Sequence, residues 1–262
     1  MPTIVPVSRE RHAAKHWKPF QSYAFARQSA LVPLVAAEIP KAAMAMPLAF
    51  IRQGDQTLPV ALMGLEPDKN VFVARDGRWL GPYVPSGLRG YPFSLARTEA
   101  DTLVLCVDED SGLVVDGPEG EPLFTAAGEP TEGLGRILEF LQQIERNRVL
   151  TSQACAALAR HELVHTWPIT LGGTTGERRV EGLFQIDEAA LNQLSDEAFL
   201  DLRRAAALPI AYCQLLSIQH LPRLGELATA SAAVPAPAPA ASGFVLGDED
   251  VLHFNWDRPE TG

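Results

Sequence analysis

Between residues 47 and 125 the sequence is cut into short apolar runs by tight-turn signals, and this punctuation constrains the fold more than any other feature. Pro47-Leu48-Ala49-Phe50-Ile51 is followed by Gln53-Gly54-Asp55 and then by the apolar stretch 58–65, a strand–turn–strand pattern. Asn70 to Val73, Arg75-Asp76-Gly77 and Arg78-Trp79-Leu80 repeat it, since Asp-Gly supplies the positive φ that a tight turn needs. Residues 103–107 and 113–115, joined across 108–112, give a third hairpin. Runs this short, closed by local turns, predict a mostly antiparallel sheet over 47–125, with a further hairpin over about 165–187 around Gly172-Gly173-Thr174-Thr175-Gly176.

Elsewhere the period changes from two to 3.6. Leu134, Ile137, Leu138, Leu141 and Ile144 form an i, i+3, i+4, i+7 stripe, predicting a helix over 131–147. A second helix is expected over 151–161 with Thr151 as N-cap. Asp187 is placed to cap 188–194, and Ser195-Asp196-Glu197 to open a helical region interrupted near Pro209. Before the first hairpin, the spacing of Leu31, Leu34 and Val35 predicts a buried helix within 24–46, with Pro33 in its first turn and its exit near Ile39-Pro40. The fold class that results is α+β, hairpins packed with helices.

From Ala228 the composition shifts to ATASAAVPAPAPAAS, small, uncharged and Pro/Ala-alternating, which builds no core and favours a flexible, extended spacer. The sequence thus divides into a body over 1–227, a linker over 228–242 and an acidic-aromatic tail over 243–262. At roughly 3.1 Å per residue the linker reaches about 40–50 Å. The tail carries Phe244, Leu246, Leu252, Phe254 and Trp256 among Asp248, Glu249, Asp250 and Asp257. Side chains of this kind find a surface to cover them, on this chain or on a neighbour, or else stay disordered in water.

The net charge of −10 in 262 residues argues against nucleic acid as a partner, because such proteins display clustered basic faces. Cys106, Cys155 and Cys213 are few, odd in number and set in apolar patterns, so buried reduced thiols and a cytoplasmic setting are expected. The first residues hold no apolar stretch of signal-peptide kind, and no run is long and apolar enough for a membrane span. His12, His16 and Trp17, with Arg9, Arg11 and Lys15, are expected at a solvated N-terminal end.

Two motifs bear on chemistry. His161-Glu162-Leu163-Val164-His165 is a literal HExxH, which on a continuous helix presents two imidazoles to Zn²⁺ and a glutamate to its water. Pro168 comes soon after and pushes the chain out of helical geometry, so a helix end is the competing reading. Arg78, Trp79, Tyr83, Arg89, Tyr91 and Phe93 combine aromatic rings with guanidinium groups, a pattern suited to anchoring a peptide or planar ligand, or to filling a core. Gly172 to Gly176 is glycine-rich like a phosphate loop but lacks the Lys-Ser/Thr that closes one, and reads as a turn.

The central stretch Asp76-Gly77-Arg78-Trp79, Tyr83-Val84-Pro85, Leu88-Arg89-Gly90-Tyr91-Pro92-Phe93 resembles the SapC-like family, bacterial proteins associated with surface layers, through a DGxW turn followed by YxPxxLRxYPF. The region of Glu38, residues 47–50, 59–64 and 182–187, and the acidic-aromatic ending also look similar, over roughly residues 10–260. Gly90 stands where a second basic residue is expected in many relatives. The resemblance implies a non-catalytic binding or assembly protein of a bacterial surface or nutrient-uptake pathway, with a protein or peptide partner and no cofactor. The alternatives are a zinc hydrolase using His161, Glu162 and His165, and another enzyme with a groove at 78–93.

Overall fold

A computed structural model describes residues 3–173 and 176–233, an α+β fold whose strand pairings are all antiparallel. In chain order the elements are β1 (Ile4–Pro6), α1 (Arg9–His12), β2 (Lys15–Trp17), β3 (Leu31–Pro33), α2 (Ile39–Ala43), β4 (Leu48–Gln53) and β5 (Gln56–Leu62). Next come α3 (Ser86–Arg89), β6 (Phe93–Arg97), β7 (Leu103–Asp108), β8 (Val114–Asp116), β9 (Glu121–Pro122) and α4 (Glu132–Arg160). The chain continues through β10 (Val164–Thr166), β11 (Ile169–Gly173), β12 (Gly176–Val180), β13 (Phe184–Ile186), α5 (Glu188–Asn192), α6 (Asp196–Arg204), α7 (Leu208–Ser217) and α8 (Leu221–Ala233).

Two apolar cores share one long helix. The first lies on the five-stranded sheet β10-β13-β4-β5-β3, where Leu48, Phe50, Val60, Leu62 and Ile186 meet Ile39, Ile210, Leu224 and the C-terminal half of α4 at Cys155 and Leu158. The second joins two three-stranded sheets, β1-β7-β6 and β8-β2-β9, around Trp17, Phe93, Val107, Leu123 and Phe124. Leu134, Ile137 and Leu141, from the N-terminal half of α4, close that core. At 29 residues α4 is about 43 Å long, enough to serve both.

The apolar stripe that begins at Leu134 therefore continues further than its spacing suggests. Thr131 caps α4 as its Oγ1 accepts from Leu134 N–H, but Thr151 lies inside the helix. Its hydroxyl donates to the Asn147 carbonyl at 2.6 Å and accepts from Ala36 N–H at 2.7 Å, so a predicted cap is instead a tie to the segment before α2. Where α4 passes β6, Glu145 bonds both Arg148 and Arg97 at 2.6 Å. These arginines, Arg148 first, hold its carboxyl near a pKa of about 2. A carboxyl depressed in the folded state stabilises above its unfolded titration and loses that contribution as pH falls. Glu145→Gln is expected to cost about 1 kcal/mol at neutral pH, with the gap to wild type narrowing between pH 5 and 2 in urea titrations.

Several sequence expectations are corrected. The helix predicted within 24–46 is a 3₁₀ turn at Tyr23–Ala26, the edge strand β3 and the short α2. Leu31, Val32 and Pro33 pair with Leu62, Ala61 and Val60, and Pro33, which has no N–H to give, suits an edge strand. Pro40 sits at the start of α2 rather than marking an exit. Of the expected hairpins, β4–β5 forms with Gly54 at φ +58°. Residues 70–80 keep their turn, with Gly77 at φ +88°, but contribute only the bridge between Val73 and Trp79. The third does not form: β7 pairs with β1 and β6, while β8 pairs with β2. A 3₁₀ turn at Glu109–Ser111 separates them. The N-terminal end is solvated only in part: Arg9 and Arg11 are exposed, but His12 is fully buried and Trp17 sits in the second core.

In the second half, β11 and β12 make the expected hairpin, and β13 joins the five-stranded sheet. Asp187 and Ser195 cap α5 and α6 as their positions suggest. Cys106 and Cys155 are buried and Cys213 half-buried, all as free thiols, and burial pushes Cys155 up to about 12. α8 runs through residues 228–233, because the alternation with proline begins only at Pro235 and the preceding residues are mostly alanine. The tail residues Phe244, Leu246, Leu252, Phe254 and Trp256 lie outside the described residues.

Candidate binding site at the junction of the two cores

The chain crosses from the first core to the second through residues 79–93, and the candidate site lies on that crossing. Its base is Glu38, a fully buried carboxylate beside α2. One oxygen accepts from Val35 N–H at 3.1 Å and Ser86 Oγ–H at 2.6 Å. The other accepts from Ser86 N–H at 2.7 Å and the Tyr83 hydroxyl at 2.8 Å. Four donors on two oxygens satisfy the group locally, which a buried carboxylate requires. Burial first, then Glu38, raises the Tyr83 hydroxyl well above its ordinary range and keeps it protonated.

Arg89, at the end of α3, completes a relay. Its Nη2–H donates to the Tyr83 hydroxyl at 3.2 Å, so the hydroxyl receives from the guanidinium and gives to the carboxylate. The guanidinium lies over the Tyr83 and Phe140 rings, 5.6 and 5.5 Å from their centroids, while Nε is buried without a partner. Phe140 and Leu141 bring the middle of α4 against this segment. A Cβ at Gly90 would stand 2.8 Å from Leu141 Cδ2, so the position where relatives are expected to carry a basic residue is closely packed here.

Beside the relay runs a file of half-exposed rings. Phe25 stacks on Tyr91 at 3.9 Å with planes 9° apart. Phe20 stands edge-on to Phe25 at 5.1 Å and to Tyr23 at 5.2 Å. Tyr23 leans on Trp79 at 5.3 Å, and Trp79 stacks on buried Phe72 at 5.6 Å. The indole N–H of Trp79 donates to the Tyr83 carbonyl at 2.8 Å, joining the file to the relay. Burial and Asp108 raise the Tyr91 hydroxyl above its usual range. Such contacts lock the rings in place, leaving partly exposed aromatic edges on a rigid base, as a recognition surface requires.

Trp79, Tyr83, Arg89 and Tyr91 are thus brought together as the motif spacing suggests. Phe93 is buried in the second core, edge-on to Trp17 at 5.4 Å, and Arg78 turns to Asp76 at 2.6 Å. Sequence reasoning passes over Phe20, Tyr23 and Phe25, although three aromatics in six residues, FQSYAF, are a signal in themselves. Ser86 falls at an unspecified position of the same motif, while Glu38 and Phe140 come from distant segments that nothing in the sequence ties to this site.

The HExxH residues are dispersed. His161 caps α4, Glu162 has φ +54°, and His165 lies in β10. Glu162 N–H donates to the Ala159 carbonyl and Leu163 N–H to that of Leu158, a Schellman closure that ends the helix inside the motif. His161 Nε2 pairs with Asp201 at 2.8 Å, and His165 is exposed. The two imidazoles are therefore not one helical turn apart on one face. Among the described residues no group of three or more His, Cys, Asp or Glu is placed to hold a metal ion, and no helix is long and apolar enough to cross a membrane.

A protein-family model described as SapC matches residues 7–224. No curated protein and no solved structure matches the chain.

Proposed function

The chain belongs to the SapC family, and from that premise we propose that it is a non-catalytic binding or assembly protein of a bacterial surface or nutrient-uptake pathway, working from the cytoplasm. Its contact surface is the file of rings Phe20, Tyr23, Phe25, Trp79 and Tyr91 with Arg89 at its side, and its partner is a protein or peptide. The observation that carries this reading is that six rings spend their faces on one another and on a buried relay, yet five remain partly open to solvent. Rigid aromatics beside an arginine are the residues that dominate protein interfaces. The relay has an evident holding role: Glu38 is saturated by donors, and the Tyr83 proton is held tightly rather than poised for transfer.

The test compares partner capture by the wild-type chain with Phe20→Ser and Arg89→Gln variants. Phe20→Ser opens the outer file, and Arg89→Gln keeps length while removing charge. Each is expected to lower affinity about tenfold or more, typical for anchor residues, with an unchanged circular dichroism spectrum. Retained affinity in both variants contradicts the proposal.

A further inference from the structure

Met44 and Leu216 are the two most exposed large apolar side chains among the described residues, at 76% and 67%. They come from elements that pack on each other, since Met44 ends α2 and Leu216 lies in the last turn of α7. In the 3₁₀ turn that follows α7, His220 Nε2 bonds the Ala43 carbonyl at 3.0 Å, which sets the C-terminal end of α7, with Leu216, beside the end of α2 that carries Met44. Tyr212, 43% exposed, precedes Leu216 by a turn on the same face. Lys41 is exposed on α2, three residues before Met44. Unlike the rings at the core junction, these side chains have little packed over them.

The 3₁₀ turn Ile218–His220 runs straight into α8, so α8 begins beside the patch and carries the chain to Ala233. With 13 residues, α8 is about 20 Å long. Residues 234–243, alternating in proline and alanine, span about 30 Å when extended. The spacer is thus long enough to return along the whole of α8 to its start. Beyond the spacer, residues 244–256 supply Phe244, Leu246, Leu252, Phe254 and Trp256 for an apolar face and Asp248, Glu249 and Asp250 for Lys41. We propose that residues 244–256 of the same chain dock on the α2–α7 face, covering Met44 and Leu216. This docking is independent of partner capture at the aromatic file.

Met44 supplies the readout. Among the described residues the other methionines, Met46 and Met63, are fully buried, so peroxide oxidation mapped to Met44 reports cover over this face. The wild-type 262-residue chain is compared with a Leu252→Ser/Phe254→Ser/Trp256→Ser variant of the same length, whose changes all lie outside the described residues. The variant is expected to oxidise at Met44 about threefold or more faster, and the slow wild-type rate to be independent of chain concentration. Leu216→Asp, on the opposite side of the contact, is expected to reproduce the faster rate. Equal rates in wild type and tail variant overturn the proposal. Protection that grows with concentration and follows a doubled mass in light scattering also overturns it, assigning the face to a second copy.

Discussion

Glu38→Ala is expected to lower the stability of the protein by about 3–5 kcal/mol, as removal of one side of a buried charged network does. The carboxylate holds four donors from three residues in two segments: Val35 before α2, and Tyr83 and Ser86 on the crossing. Without it the Val35 and Ser86 amides remain buried and unpaired, and Arg89 loses the anion that its charge reaches through Tyr83. Against a typical total of about 5–15 kcal/mol, that loss is severe. Glu38→Gln keeps one acceptor oxygen but turns an amide NH₂ toward two donors, so a smaller loss of about 2–3 kcal/mol is expected. Urea unfolding with an unchanged slope checks both. Wild-type stability in Glu38→Ala would mean that the crossing is held by its rings alone.

The second large effect is expected at Gln214, fully buried on α7. β13 and β4 share a single residue pairing, Phe184 with Phe50, and Gln214 bridges the backbones beyond it. Its Oε1 accepts from Ile186 N–H at 2.9 Å and its Nε2–H donates to the Leu48 carbonyl at 3.2 Å. Ser217 continues the stitch, accepting from Leu48 N–H at 2.9 Å and donating to the Gln214 carbonyl at 2.6 Å. Gln214→Leu preserves volume but strands one buried donor and one buried acceptor, a cost of about 2–4 kcal/mol. Hydrogen exchange is expected to quicken most at Ile186, whose amide loses its side-chain acceptor. An unaffected Ile186 amide would show that water or a shifted strand replaces the glutamine.

These two residues also show why part of the structure was legible in the sequence and part was not. Gly54, Asp187 and Ser195 act within a few residues of themselves, so turn and cap chemistry located them. Thr151, by the same local logic, reads as a cap; its true partner is Ala36, more than a hundred residues away. Leu31 and Leu34 fit a helical period by coincidence, and the pairing of β3 with β5 decides otherwise. The strands β7 and β8 are adjacent in sequence but feed different sheets, a choice made by β1, β2 and β6. At the site, Trp79, Tyr83, Arg89 and Tyr91 stood out because one motif carries them. Glu38 and Phe140 hold the same site together from α2 and α4, and only the fold brings them there. The HExxH match failed as a helical pattern because the left-handed backbone at Glu162 ends α4 inside it.

The most direct test of the binding account places a photo-crosslinking amino acid at Phe20, in the middle of the ring file, with Val149 as an exposed apolar control on α4. Irradiation of bacteria making the full-length protein is expected to give one discrete protein or peptide adduct from position 20 and none from position 149. No adduct at position 20, or the same adducts from both positions, would contradict the assignment of this face as the contact surface.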